Sequence, residues 1–275
     1  MYSVVVLTLN EEQNLPGCLE SLSNCHDIVV LDSGSKDKTH EIAQRYGARV
    51  FVNRFENFAQ QRNHAHTTIP FKYDWVFHLD ADEKMTPLLN AECERVLSEN
   101  PSLNGYWVAP KMIFSGRWIP HCTDYPAWQA RFTHVRSFRF IEVGHGQREH
   151  PSMQMGHLRE NYTHDLSAHG EEGWKEKHRR YARAEAHHVT NTDGSITQLC
   201  RRLVSPENLA RRRALKQLSY RLPFRPLLRF CYQYIIRRGF LDGKQGLNYC
   251  LLLAEYERWT DLEIISLRKQ GARSS

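Results

Sequence analysis

Asp80 and Asp82 stand two residues apart directly after the apolar run Trp75-Val76-Phe77-His78-Leu79. Alternate side chains of an extended backbone share a side, so both carboxylates would face one way and could hold a hard divalent cation, directly or through water. A cation held there suits the handling of phosphates. A bare D-x-D is more often a solvated loop; what strengthens the chemical reading is the rigid strand that would deliver the pair. Two further polar clusters follow apolar runs in the same way, Thr8-Leu9-Asn10-Glu11 and Asp32-Ser33-Gly34-Ser35. Asp32 can accept hydrogen bonds from a ribose or a base, while Ser33 and Gly34 let the chain turn tightly; a turn or helix cap is the plainer alternative.

The elements that must position these clusters are legible as a βα alternation. Ser3 to Leu9 is a β-branched, nearly continuous apolar run, as in a strand covered on both faces of a parallel sheet. Asn14 stands as an N-cap before Pro16, with Leu15, Cys18, Leu19 and Leu22 at helical spacing. Strands are predicted at Asp27 to Leu31, Arg49 to Val52 and Trp75 to Leu79, with helices through Thr39 to Tyr46 and Ala59 to Ala65 and a stop at Gly47. The three polar clusters fall at strand carboxyl ends, where α/β sheets bind ligands. Trp128, Gln129 and Arg131 lie in a strand-like segment that offers an aromatic face and a positive charge. Core packing is the alternative for Trp128.

Composition bounds the rest. The 275 residues are 41% hydrophobic and 25% charged, enough for a sizeable core, and a mean hydropathy of -0.60 argues against a multi-span membrane protein. Seven scattered cysteines without a C-x-x-C pair fit a reducing compartment. The N-terminus lacks a basic n-region, so a cytoplasmic location is expected. Net charge is +6, yet residues 201–245 carry twelve Lys/Arg against Glu207 and Asp242, leaving the remainder mildly acidic. There Arg225, Arg229 and Arg237 recur at multiples of four beside Leu227, Cys231, Tyr234 and Ile235, as on an amphipathic helix. Its apolar runs fall short of the ~20 residues of a membrane span, so the segment can lie peripherally on an anionic inner-membrane surface or pack into a core. Gly239 and the Gly243/Gly246 pair are expected to break it before a further helix from Leu247 to Tyr256.

Neither G-x-G-x-x-G after the first strand nor G-x-x-x-x-G-K-[ST] is present, which disfavours a Rossmann dehydrogenase and a P-loop ATPase. Instead "SVVVLTLNEEQNLPGCLESL", "IVVLDSGSKDKTHEIAQRYGARV", "FAQQRNHA" and "WVFHLDADE", in that order, resemble the donor-binding half of inverting glycosyltransferase family 2 enzymes of the GT-A fold, in particular bacterial transferases of lipopolysaccharide-core and envelope-glycan synthesis. The resemblance is specific over residues 3–85 and looser beyond 100, through "WIPH", "YPAWQARF", the stretch ending in Glu149-His150, and "GFLDGKQG".

The resemblance implies an α/β GT-A domain over 1–170, with a nucleotide-sugar half over about 1–100 and an acceptor half over about 101–170, followed by a basic, mainly helical region over 171–275. It implies Thr8, Asn10 and Glu11 against the nucleotide, Asp32 on uracil or ribose, and Arg62 and Asn63 bordering the donor sugar or phosphate. Asp82 would reach Mg²⁺ or Mn²⁺, with Asp80 beside it near the ribose and His164 completing the metal site; an ordinary histidine is the alternative for His164. Trp128, Gln129 and Arg131 are placed at the acceptor. Direct displacement at the sugar needs one carboxylate to take the acceptor proton. Glu149 is chosen from a V-H-E-like segment, with Asp124 and Glu142 as competitors. The implied partners are a UDP-sugar and a glycan or lipid-linked acceptor. A nucleotidyltransferase lacks its glycine-rich loop here, and a basic nucleic-acid binder would leave the acidic clusters unexplained, so no nucleic acid is expected.

Overall fold

The computed structural model describes residues 1–99, 102–143, 146–191, 200–201, 203–205 and 208–274. They form two compact units, Met1–Trp118 with Asp124–Ala168, and Ile119–Thr123 with His169–Ser275. The first unit opens with β1 (Ser3–Thr8), α1 (Leu15–Glu20), β2 (Ile28–Asp32), α2 (Thr39–Arg45), β3 (Arg49–Val52), α3 (Phe58–Thr68) and β4 (Trp75–Asp80). After β5 (Glu83–Lys84) and α4 (Pro87–Ser98) it turns to strands alone: β6 (Gly105–Val108), β7 (Pro110–Phe114), β8 (Arg117–Trp118), β9 (Gln129–His134), β10 (Phe140–Val143), β11 (Gly146–Glu149), β12 (Met155–His157) and β13 (Tyr162–Asp165).

Among the described residues the main sheet has seven strands in the order β12-β6-β9-β4-β1-β2-β3. Strand β1 lies parallel between β2 and β4, and β3 continues the parallel half. Strand β9 inserts antiparallel to both β4 and β6. A second sheet runs β5-β13-β7-β8, and β10 and β11 form a separate hairpin. The expected α/β class therefore holds, with a mixed sheet.

The apolar run of β1 is continuous because each face of the sheet meets its own helices. Val4 and Val6 share a core with Leu15, Cys18 and Leu19 of α1 and Leu89 and Cys93 of α4. Val5 and Leu7 join Val29, Leu31 and Val76 against Ala65 of α3 and Ile69. Asn14 occupies the N-cap position of α1 but its side chain makes no capping bond; its Nδ2 donates to Glu11 Oε2 instead. Gly47 ends α2 at φ 74°, a left-handed conformation open to glycine at little cost.

The second unit is helical: α5 (Gly170–Asn191), α6 (Asn208–Ser219), α7 (Arg225–Cys231), and α8 (Gly243–Ser274). Ala186 and Val189 of α5 pack on Ile264 of α8. The Gly243/Gly246 pair opens α8 rather than interrupting a helix. Gly246 is required there because a Cβ would stand 2.4 Å from Gly239 O. The cysteines are free thiols.

Candidate active site

Helix and strand periodicities meet where α3 crosses the carboxyl end of β4. Four residues of helix rise ~6 Å and two residues of strand ~6.6 Å, so Arg62 and His66 can face Asp80 and His78 in register. They do: Arg62 Nη2 donates to Asp80 Oδ1 at 2.9 Å, and His66 Nε2 lies 3.0 Å from His78 Nε2. Strand β9 adds the next column. Thr133 Oγ1 is 3.1 Å from His78 Nε2, and Arg131 reaches Asp80 Oδ2 at 3.2 Å and Glu83 Oε1 at 2.7 Å. Arg131 also donates to Tyr162 Oη at 3.2 Å, with its guanidinium over that ring.

Burial sets the charges in this column. Burial would raise the Asp80 carboxyl, but Arg131 and Arg62 outweigh it and hold the group well below the usual carboxylate range. Burial pushes Glu83 up to about 7, against the pull of Arg131. Arg62 is 1% exposed, and its Nε and Nη1 have no hydrogen-bond partner.

The histidine pair yields a stability prediction. Burial lowers His66 from 6.5 to about 4 and takes His78 well below its usual value. Above pH 6.5 both states are neutral and nothing is lost; as pH falls from 6.5 toward 4 the unfolded chain binds protons that the folded chain refuses, so stability drops. Urea unfolding should lose roughly 2 kcal/mol between pH 7 and pH 5 from His66 alone. His66→Asn should flatten that slope; an unchanged slope would contradict the assignment.

Asp82 does not follow Asp80 to the same side. The chain turns after β4, and Glu83 Oε2 accepts from Asp80 N at 2.8 Å, so the extended geometry expected of D-x-D is broken and the two carboxylates take different partners. Strand β13 runs antiparallel to β5, with His164 opposite Glu83, and Asp165 N donates to Asp82 O at 3.1 Å. This brings His164 Nε2 to 3.4 Å from Asp82 Oδ2. Burial would lower His164, yet the carboxylates of Asp82, Glu83 and Asp80 raise it, as expected where negative potential gathers. An oxygen and an imidazole nitrogen at this separation fit two ligands of one Mn²⁺ or Mg²⁺. His164 Nδ1 is buried without a hydrogen-bond partner. Among the described residues no cage of three or more His, Cys, Asp or Glu is gathered, so phosphate oxygens and water would complete the shell, as is usual for Mg²⁺.

A cavity of about 550 Å³ opens on this cluster. Arg62, Asp80, Glu83, Arg131 and His164 line it together with Trp128, Gln129 and Glu149. Trp107 and His157, which carry no local signal in the sequence, also line it; His157 stands 4.7 Å from Trp107 and 4.8 Å from Trp128 between ring centroids. Of the three carboxylates considered as base, Glu149 is the one on the cavity wall; Asp124 is exposed elsewhere, and Glu142 Oε2 accepts from Asn57 Nδ2 at 3.1 Å. Asn63 does not face the cavity. Its amide donates to Phe140 O and accepts from Phe140 N at 2.8 and 2.9 Å, which fixes the hairpin carrying Glu149 opposite Phe140.

At the ends of β1 and β2 the remaining residues stitch two loops together. Thr8 Oγ1 donates to Asp32 Oδ1 at 2.8 Å. Asn10, at φ 56°, donates from its N to Ser35 Oγ at 2.7 Å, and its Oδ1 accepts from Lys36 N at 2.8 Å. Glu11 N donates to Thr39 Oγ1 at 2.9 Å. Asp32 is fully buried, accepting from Gly34 N and Ser35 N at 2.8 and 2.7 Å and pairing with His40 at 2.8 Å. Burial would raise its carboxyl, but these bonds take it down to about 2. A nucleotide at this edge would meet the exposed Asn10 and the His40 side chain, 41% exposed, before Asp32.

A 150-residue stretch is 29% identical to the lipopolysaccharide core biosynthesis glycosyltransferase LpsC of Rhizobium meliloti, covering 53% of this chain and 52% of that protein. An uncharacterized glycosyltransferase of Rickettsia bellii is 34% identical over 97 residues, 35% of this chain and 32% of that one. The chain thus spans about half the length of LpsC and a third of the Rickettsia protein. Among solved structures, S. aureus TarS 1-349 aligns over 98% of this chain and 91% of its own at 15% identity, with a TM-score of 0.44. The model of the family described as Glycosyl transferase family 2 matches residues 3–134, which hold β1 through β9 and, with them, Asp32, Arg62, Asp80, Asp82 and Arg131. Residues 3–134 thus carry a glycosyl transferase family 2 domain.

Proposed function

We propose that this protein is a metal-dependent inverting glycosyltransferase that moves a sugar from a UDP-sugar to a lipopolysaccharide-core or other envelope glycan, free or lipid-linked, at the cytoplasmic face of the membrane. The carrying observation is the Asp82–His164 pair, 3.4 Å apart, beside a cavity whose wall includes Glu149. Mg²⁺ or Mn²⁺ held by this pair would offset the charge of the departing diphosphate. Glu149 takes the proton of the acceptor hydroxyl as that oxygen bonds to the sugar carbon and the carbon–phosphate oxygen bond breaks. Buried Arg62, with two unpaired donors, favours an anionic group nearby. Trp107, Trp128 and His157 give the sugar an aromatic wall. Asn10, Glu11 and the Thr8–Asp32 pair form the nucleotide edge. The acceptor class follows the name of the Rhizobium meliloti relative.

Calorimetry with a panel of nucleotide sugars and Mn²⁺ tests this reading. A UDP-sugar should bind, and Glu149→Gln should bind it as well as the native chain while transfer falls about a hundredfold or more. Absence of nucleotide-sugar binding would overturn the function; full transfer by Glu149→Gln would overturn the base.

A further inference from the structure

We propose that the helical ridge over residues 222–236 is a docking surface for an anionic lipid bilayer, its apolar side chains entering the headgroup layer and its flanking basic side chains meeting lipid phosphates. The ridge names the membrane partner of the function above, but it rests on surface geometry and is tested without sugar transfer.

Its polarity is inverted. Helix α7 continues through a wider turn over Tyr232–Ile236. Along it Arg225 and Gln233 point inward, 7% and 2% exposed, while Leu227, Leu228, Ile235 and Ile236 point outward, Ile236 to 70%. Phe224, just ahead, is 77% exposed. The inward side chains are anchored: Arg225 pairs with Glu257 and Asp261 with its guanidinium 4.3 Å from the Tyr220 ring centroid, and Gln233 donates to Cys122 O at 2.8 Å. The expected amphipathic helix is therefore present, with Arg225 on its inward side. Exposed apolar side chains in such a run mark an interaction surface.

Charge selects the occupant. Between Arg221 and Lys244 the sequence holds six Lys/Arg and one acidic residue, Asp242; Arg225 is paired with Glu257 and Asp261, which leaves five basic side chains for the surface. Asp242 is 2% exposed and accepts from His121 N and Cys122 N at 3.0 and 2.8 Å, so its carboxylate is not on the surface that lipid would meet. Arg221, Arg238 and Lys244 are exposed beside the apolar row. A second copy meeting this face by two-fold symmetry would bring like charge against like, whereas an anionic bilayer offers an apolar layer under a negative one. Among the described residues no helix is long and apolar enough to cross a membrane, so the ridge would lie in the interface plane.

Vesicle flotation of the full chain tests this. The protein should float with phosphatidylcholine vesicles containing phosphatidylglycerol, not with phosphatidylcholine alone, and high salt should release it. Arg238→Gln with Lys244→Gln should weaken binding about thirtyfold, from about a factor of five per charge. Leu227→Ser with Ile236→Ser should also weaken it while leaving the melting temperature unchanged, because both side chains already face water. No flotation with anionic vesicles, flotation indifferent to Leu227→Ser with Ile236→Ser, or a dimer that this variant dissociates without any effect of lipid would overturn the proposal. Flotation by a chain that binds no nucleotide sugar would sink the enzymatic reading alone, and sugar transfer by a chain that never floats would sink the ridge alone.

Discussion

Asp82→Asn is expected to lower kcat about a thousandfold while leaving stability within about 1 kcal/mol of the native chain. The substitution keeps the volume of the side chain and removes its charge, so it separates cation binding from packing. Asp82 sits in a turn with its side chain 15% exposed, and its loss leaves no buried carboxylate uncompensated. Several kcal/mol of charge stabilisation on a leaving diphosphate correspond to about three powers of ten in rate. Steady-state transfer at saturating donor and Mn²⁺ reads the effect, alongside a melting curve. His164→Gln should lower the rate in the same direction through its metal affinity. Full activity of Asp82→Asn would separate the reaction from the metal pair.

Arg131→Met should have the largest effect on the fold. Its side chain is 3% exposed and faces two carboxylates, Glu83 at 0% and Asp80 at 31%. Removing one partner of a buried ion pair costs about 3–5 kcal/mol because the other charge stays behind without compensation, which is roughly 10 °C in melting temperature for a chain of this size. Glu83→Gln in the same chain removes much of the stranded charge and should recover a good part of the loss, with a coupling between the sites that single substitutions would not predict. If Arg131→Met melts like the native protein, the column of Arg62, Asp80, Glu83 and Arg131 does not hold the sheet edge as described.

How far these residues can be read from the sequence depends on the range of the interaction that places them. Strands β1 to β4 and helices α1 to α3 are legible because local period and composition specify them: the run from Ser3 is apolar on both faces since α1 and α4 cover one and α3 the other. The insertion of β9 between β4 and β6 has no local mark, because pairing of Phe77 with Phe132 spans more than fifty positions. Arg131 reads as an acceptor residue from its strand-like spacing, and it does line the cavity, but its guanidinium is committed to Asp80 and Glu83. Glu83 stands next to the D-x-D pair in the sequence, yet nothing local says that its carboxylate is buried to receive Arg131. Asn63 fixes the Glu149 hairpin from 77 positions away, and His164 reaches Asp82 only because β13 pairs with β5. Trp107 and His157 gather on one wall because β6 and β12 are neighbouring strands with those residues in register.

The most direct test is a crystal of the full chain soaked with Mn²⁺ and uridine diphosphate, recorded at a wavelength where manganese scatters anomalously. An anomalous peak is expected in contact with Asp82 and His164, with the diphosphate on the same ion and the nucleoside directed toward Asn10 and Asp32. A peak elsewhere, or nucleotide bound with no ion at Asp82, would contradict this placement.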